Sequence, residues 1–222
     1  MLAKVLAKQN LEAPVVLALP RGGVAVAMEV ACALKAPLDI VLVRKIGVPS
    51  QPELAAAAVV NGGAAEVVTN SDVVELAGIS REYIDAAVKR ELEEIDRRRR
   101  VYLQGRPRVP LEGRTVILVD DGIATGASVR AALRALKRKA PKTLILAVPV
   151  APPEVVDALR TEVDELVCLW VPEPFFAIGM HYADFHQMSD AEVVELLAEA
   201  GERPTQEPPT GSPAQPRGLT GT

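Results

Sequence analysis

Two adjacent acids and a loop of small residues form the part of this chain whose residue types could do chemistry. Asp120 and Asp121 directly follow the apolar run 116–119, which has the length and continuity of a buried parallel strand. Open α/β sheets place their ligand sites at the carboxyl ends of such strands. Residues 124–128, Ala-Thr-Gly-Ala-Ser, carry no bulky side chain and precede a helical pattern, so their backbone N–H groups favour an anion. The spacing therefore predicts a ligand site with two carboxylates beside an anion-binding loop.

The elements around this stretch predict an α/β fold with a doubly wound, mostly parallel five-stranded sheet and flanking helices. Apolar runs predict strands at 15–19, 40–43, 116–119, 144–150 and 166–171, and helical patterns separate them at 24–34, 80–103, 127–139 and 153–160. The turn Pro20-Arg21-Gly22-Gly23 follows the first strand, and Arg44-Lys45 follows the second. Both are therefore expected at the same sheet edge as Asp120.

Less regular segments predict a flexible lid and a terminal tail. Residues 46–64 are rich in Gly, Pro and Ala without a clear period, which predicts a mobile loop with Glu53 in the candidate lid. A short strand at 66–69 is expected to pair with 57–60 around Gly62-Gly63. Residues 189–192, Ser-Asp-Ala-Glu, have the pattern of a capping box for a last helix that ends near Gly201. We expect one domain at 1–201 and a disordered Pro/Gly-rich tail at 202–222.

Composition limits the class of protein. With 222 residues, 49% of them hydrophobic, the chain can bury one sizeable core. The net charge of −4 argues against a non-specific nucleic-acid binder, and the basic run 97–100 is expected to be a solvated helix end. Cys32 and Cys168 are expected to be reduced core residues. No apolar run approaches the roughly 20 residues of a membrane span, so we expect a cytoplasmic protein without a membrane partner.

The loop sequence resembles the signature of a known family. It lacks the lysine of the nucleotide-triphosphatase P-loop, and the three spaced glycines of the dinucleotide fingerprint are absent after the first strand. A hydrophobic strand followed by two acids, small residues and Thr-Gly-x-Ser is instead similar to the 5-phosphoribosyl-1-pyrophosphate (PRPP) signature of type I phosphoribosyltransferases. The segments LALPRGGVAVAMEVA, LVRKIGVPSQPELAAAA and FFAIGMHYADFHQMSD resemble a subgroup of that family whose substrate is unassigned, and the resemblance covers about residues 10–197.

The resemblance implies a role for each strand end. The backbone of Ala124, Thr125, Gly126, Ala127 and Ser128 would hold the 5-phosphate, and Asp120 and Asp121 would bind the ribose hydroxyls and act in catalysis. Arg21, Gly22, Gly23, Arg44 and the catalytic Lys45 would meet the pyrophosphate and its Mg²⁺, which the substrate itself would mainly hold. Taken singly, the acids could be a strand cap, the glycines an ordinary turn and the cations solvated charges. Three such strand ends in one sheet together favour a site.

The scarce aromatic residues predict where an acceptor would bind. Five of the seven Phe, Tyr and Trp residues lie between 170 and 185, in a segment that follows the last strand and can form a small C-terminal hood over the site. Phe175, Phe176 and Tyr182 are expected to contact a flat nitrogen heterocycle by stacking. Trp170, at a strand end, is expected instead to pack in the core.

Two features of the chain bear on what the site does. In family members that act on 6-oxopurines the residue before Thr-Gly is commonly aspartate, and here it is Ala124, which argues against hypoxanthine and guanine as acceptors. The resemblance also implies a basic and aromatic segment upstream of residue 1, which would form part of the hood over the site. The resemblance implies an enzyme of nucleotide metabolism and is compatible with a homodimer. The alternative is a non-catalytic sensor that binds PRPP, although no basic helix-turn-helix precedes residue 15.

Overall fold

The computed structural model of the chain describes residues 1–61 and 65–202. The chain folds into helices and strands. In chain order they are α1 Leu2–Leu6, β1 Pro14–Ala18, α2 Gly23–Leu34, β2 Leu38–Ile40, β3 Leu42–Val48, β4 Gln51–Asn61, β5 Ala65–Thr69, α3 Ser71–Leu76, α4 Arg81–Leu103, β6 Thr115–Val119, α5 Ala127–Lys137, β7 Thr143–Val150, α6 Pro153–Arg160, β8 Glu165–Trp170, a 3₁₀ turn Ile178–His181, and α7 Asp190–Glu202.

Five strands form one parallel sheet in the order β2-β1-β6-β7-β8. The sheet is buried on both faces, which is why its strands are continuous apolar runs rather than alternating ones. Ile117 and Val119 face one core together with α2 and α7, while Val116 and Leu118 face a second core formed with α5 and α6. The predicted doubly wound, five-stranded α/β fold is confirmed.

A second, antiparallel sheet of β3, β4 and β5 replaces the loop predicted at 46–64. Ala56–Val60 are all buried, so both faces of this strand are covered. A strand covered on both faces shows no alternation of apolar and polar residues. The predicted strand 40–43 is likewise divided, because β2 ends at Ile40 and β3 begins at Leu42. The expected pairing of 66–69 with 57–60 is confirmed, and Val60 pairs with Glu66. The Gly62-Gly63 turn and the side chain of Glu53 lie outside the part of the chain that the structure describes.

The basic run at the end of α4 is only partly a solvated helix end. Arg97 and Arg98 pair with Glu94 of the same helix. Arg99, however, is buried against Asp39 of β2, with an Nη1 to Oδ1 distance of 3.3 Å. The Asp39 carboxylate also accepts hydrogen bonds from the backbone N–H groups of Ile40 and Val109. This carboxylate therefore ties the edge strand to α4 and to the linker that precedes β6.

The last helix begins at the predicted capping box. The Ser189 N–H donates to Glu192 Oε2 at 2.7 Å, and the Glu192 N–H donates to Ser189 Oγ at 3.3 Å. The helix continues through Gly201 to Glu202, and residues 203–222 of the expected tail lie outside the described residues. Cys32 and Cys168 are half-buried, and neither forms a disulfide with another described residue. None of the helices in 1–61 and 65–202 is both long enough and apolar enough to span a bilayer.

Candidate active site

The turn after β1 and the acids after β6 meet at one sheet edge because these two strands are parallel neighbours. Ala18 is the register partner of Val119, and the Leu19 N–H donates to the Val119 carbonyl at 2.9 Å. Residues 20–23 therefore run directly alongside Asp120 and Asp121. The Pro20–Arg21 peptide bond in this turn is cis. The parallel pairing thus brings together two motifs that are about a hundred residues apart in the sequence.

Gly22 and Gly23 permit this close approach because neither carries a side chain. A Cβ atom at Gly22 would lie 1.9 Å from Asp121 Oδ2. A Cβ atom at Gly23 would lie 2.9 Å from the Val119 carbonyl oxygen and 3.0 Å from Asp120 Cα. Both distances are shorter than van der Waals contact, so the glycines are required by the position of the acids.

The two carboxylates are held in an environment that opposes their ionisation. Burial first, and then repulsion from Asp121, raise the pKa of Asp120 well above its ordinary value. Burial also raises the pKa of Asp121. The Asp121 N–H donates to Asp120 Oδ1 at 2.9 Å, and this hydrogen bond partly offsets the rise in the pKa of Asp120. Two neighbouring carboxylates in a desolvated position are suited to binding hydroxyl donors or positive charge.

The loop after the acids leads into the N-terminus of α5. Gly126 precedes the helix with φ of 77°, a left-handed conformation that glycine adopts readily. Ala124 and Thr125 are exposed, and the small side chains leave the backbone open. The first N–H groups of a helix have no intrahelical partner, so this end of α5 can hold an anion. The structure therefore places the N-terminus of α5 directly after the two acids.

Arg44 and Lys45 point away from each other because they are neighbours in strand β3. Arg44 Nε lies 2.7 Å from Glu91 Oε2 of α4. Lys45 is exposed and lines a cavity that also contains Ala127, the first residue of α5. Lys45 is thus on the side of the anion-binding loop, whereas Arg44 is paired with Glu91. This partner of Arg44 could not be identified from the sequence, because the strand was not predicted there.

The hood contacts the acids through Tyr182. The Tyr182 hydroxyl donates a hydrogen bond to the carbonyl oxygen of Asp121. Burial first, and then the two acids, raise the pKa of that hydroxyl, so it remains a donor. Gly122 is also covered by the hood, since a Cβ atom there would lie 2.7 Å from Ile178 Cγ2. The segment after β8 therefore closes over the edge that carries Asp121.

The other aromatic residues of the hood are more open. The Phe175 ring stacks on His181 at a centroid distance of 5.6 Å, and Phe176 is 74% exposed. The expectation that Trp170 packs in the core is wrong, because it is 60% exposed and touches only the His181 ring among the aromatic contacts of the described residues. It lies at the end of β8, an edge strand, where no helix covers it. A cavity of about 550 Å³ lies beside Trp170, His181 and Tyr182.

Arg21 forms an ion pair with Asp190, a residue that the sequence identified only as part of the capping box 189–192. Arg21 Nη1 lies 3.8 Å from Asp190 Oδ1, and the Tyr102 hydroxyl donates to the same oxygen at 2.7 Å. Burial, and then this bond to Asp190, raise the pKa of Tyr102 to about 12. The first turn of α7 thus fixes the turn after β1. Nothing in the spacing of these three residues along the chain predicts their contact.

Comparison with known proteins agrees with this geometry. A family model described as a phosphoribosyl transferase domain matches residues 1–184. A protein of Mycobacterium tuberculosis strain H37Rv, named "Putative phosphoribosyl transferase Rv0571c", is 46% identical over 199 residues. The match covers 90% of this chain but only 44% of that relative. The crystal structure of TT1426 from Thermus thermophilus is 44% identical with a TM-score of 0.77, and the match covers 89% of this chain and 93% of that one.

The raised pKa of Asp120 predicts how stability depends on pH. A carboxyl with a raised pKa binds its proton more tightly in the folded than in the unfolded chain, so stability falls as pH rises from about 3.9, the ordinary Asp value, through the raised value. Asp120→Asn removes the charge, so we expect a higher melting temperature than the wild type at pH 8 and a difference that vanishes near pH 3. Thermal unfolding monitored by circular dichroism measures this. Asp157→Asn, at an exposed position of α6, is the matched control. A less stable Asp120→Asn protein at pH 8 would contradict this account of the acids.

Proposed function

Because the chain belongs to the phosphoribosyl transferase domain family, we propose that it transfers the phosphoribosyl group of PRPP to a nitrogen heterocycle with release of pyrophosphate. The observation that carries the proposal is the position of Asp120 and Asp121, which are desolvated at the sheet edge between the Gly22-Gly23 turn and the N-terminus of α5. A non-catalytic PRPP sensor would need the same binding groups. Turnover is what distinguishes the two functions.

PRPP fits the three parts of this edge by its chemistry. The 5-phosphate would bind the backbone N–H groups of 124–128 and the hydroxyls of Thr125 and Ser128. The ribose 2- and 3-hydroxyls would donate to Asp120 and Asp121, which favours the ionised acids. The pyrophosphate would lie over Gly22 and Gly23, where the backbone can approach closely. Each assignment places a group of the substrate against a protein group of complementary charge.

The reaction requires stabilisation of positive charge on the ribose ring and of negative charge on the leaving pyrophosphate. The bond between the anomeric carbon and pyrophosphate breaks with the electron pair leaving on pyrophosphate, and the heterocycle nitrogen attacks the opposite face. Asp120 and Asp121 would stabilise the positive charge that develops on the ribose ring. Arg21, held by Asp190, and Lys45 would offset the negative charge on the leaving group. Arg44 could join them only after release from Glu91.

Mg²⁺ is proposed to bind mainly through the substrate, where it would offset charge on the pyrophosphate. Within 1–61 and 65–202 no group of three or more His, Cys, Asp and Glu side chains is arranged to hold a metal ion. We also propose that the protein acts in the cytoplasm in nucleotide metabolism, in a form compatible with a homodimer.

The acceptor is proposed to bind at the hood. The hydrogen bond from the Tyr182 hydroxyl to the carbonyl of Asp121 supports this, because it places the segment after β8 beside the acids. Phe176 is exposed and free to stack on a flat ring, and Phe175 lies next to it.

Pyrophosphate release with a panel of nitrogen heterocycles tests the proposed function. We expect turnover with at least one heterocycle. Asp120→Asn and Asp121→Asn should each lower kcat/KM by an amount that corresponds to about 2–4 kcal/mol of transition-state stabilisation. Asp157→Asn, at an exposed position of α6, should retain wild-type activity. PRPP binding without pyrophosphate release for any heterocycle would instead identify a sensor. Full activity of both Asn variants would show that the acids are only a strand cap.

The Gly22 contact predicts a second effect on PRPP. Gly22 has φ of −55° and ψ of −39°, which alanine adopts easily, so Gly22→Ala changes only the space beside Asp121. We expect displacement of the Asp121 carboxylate and at least a tenfold rise in the Kd for PRPP, or about 1.4 kcal/mol, measured by calorimetry. Gly78→Ala is the control, because Gly78 has φ of 60° with nothing within 4 Å. It should lower stability and leave PRPP affinity unchanged. Unchanged affinity in Gly22→Ala would remove the acids from the PRPP site.

The hood assignment is tested with the acceptor. Phe176→Ala or Tyr182→Ala should raise the KM for the heterocycle that turns over, by roughly 5-fold or more for a lost stacking contact, and hardly change PRPP affinity. Leu76→Ala removes an equally exposed apolar side chain from α3 and should change neither. Steady-state kinetics in both substrates separate these effects. A loss of PRPP affinity equal to the loss for the heterocycle would contradict a role in acceptor binding.

A further inference from the structure

A second cavity, of about 410 Å³, lies between α5 and the small sheet. Its wall includes Ala127 but not Asp120, Asp121 or Gly22. The lining brings together three cations, Lys45, Arg130 and Arg134, and three small polar residues, Thr69, Asn70 and Ser71. Its volume falls in the range of about 300–1,000 Å³ that small-molecule sites occupy. It is therefore large enough for a metabolite and lies beside the proposed PRPP site.

The three cations converge because of the local geometry of two elements. Residues 127, 130, 131 and 134 lie on one face of α5, since their spacing follows the helical repeat. The alanines at 127 and 131 leave space, and the arginines line it. Lys45 comes from β3 on the strand face opposite to Arg44. The cations are thus placed by packing that is independent of the two acids.

The charges in this cavity are incompletely compensated. The side chains of Lys45 and Arg134 are exposed, and neither forms a hydrogen bond or ion pair with another residue that the structure describes. Arg130 Nε is buried without a hydrogen-bond partner, and its nearest carboxylate oxygen, Glu162 Oε1, is 3.6 Å away. The one acid in the described lining is Asp72, which is exposed in the first turn of α3. A buried donor without a partner is costly, so an anion here would be favourable.

We propose that this cavity binds a small phosphate-bearing anion in addition to the one at the loop after the acids. The two positions differ in their protein groups, because the loop offers backbone N–H groups whereas this cavity offers the Arg130 and Arg134 side chains. Arg134 lies seven residues beyond Ala127, or about 10 Å along α5 at the rise of an α-helix. Arg130 and Arg134 would donate charge-assisted hydrogen bonds, and Thr69, Asn70 and Ser71 would complete the lining. The site is thus a place for an effector or for a second phosphate of a larger ligand.

Calorimetric titration with inorganic phosphate tests this proposal. In protein saturated with PRPP and Mg²⁺ we expect one further equivalent of phosphate to bind, and Arg134→Gln to weaken that binding about tenfold or more. Arg130→Gln should have a similar effect. Lys137→Gln removes one charge from the same helix at an exposed position outside the cavity and should bind phosphate like the wild type. Circular dichroism of each variant establishes that it is folded.

The outcomes separate this proposal from the proposed function. If PRPP itself does not bind, the same titration of the unliganded protein still decides whether phosphate affinity depends on Arg134. Displacement of phosphate by PRPP would show that the cavity is only part of the main site, which overturns the proposal. Equal weakening in Arg134→Gln and Lys137→Gln would overturn it too, because it would reflect net charge alone.

Discussion

The structure depends on one electrostatic constraint, namely that two half-buried carboxylates are held side by side at the end of a buried strand. Asp120 and Asp121 repel each other and lose hydration, and both effects raise the pKa of Asp120. Such a position is unfavourable for folding and is retained where a ligand benefits from it. The neighbouring elements are arranged so that the acids stay in place. The glycines after β1 leave them space, and Tyr182 binds the Asp121 carbonyl.

The parallel sheet is what brings the parts of this site together. The turn 20–23, the acids and the helix start at Ala127 belong to segments far apart in the sequence, and the pairing of β1 with β6 makes them neighbours. The hood reaches the same edge because it follows β8, whose carboxyl end lies in the same direction. Arg21 is in turn held by Asp190 at the start of α7. Each functional segment is therefore positioned by an element whose own stability comes from the two cores.

The sequence predicted those features that depend on local pattern. The five parallel strands and the capping box are readable because apolar runs and cap residues act over a few positions. The pairing of 57–60 with 66–69 was predicted, but the strand β3 and the full length of β4 were missed, because Ala56–Val60 is buried and alanine does not favour a strand. Because β3 was not predicted to include Arg44 and Lys45, the sequence did not predict that their side chains point to opposite faces, as neighbours in a strand do. Long-range pairs such as Arg99 with Asp39 depend on packing and leave no pattern in the chain.

The central claim is that PRPP compensates the unfavourable state of the acid pair, and proton release on binding measures it most directly. Ribose hydroxyls that donate to Asp120 and Asp121 favour the ionised acids, so binding should lower their pKa and release protons. The measurement is titration of the protein with PRPP and Mg²⁺ in two buffers of different ionisation enthalpy, which yields the number of protons released. The account predicts a larger release for the wild type than for Asp120→Asn at the same pH, and PRPP affinity that rises with pH in the wild type. Equal proton release by the two proteins would contradict it.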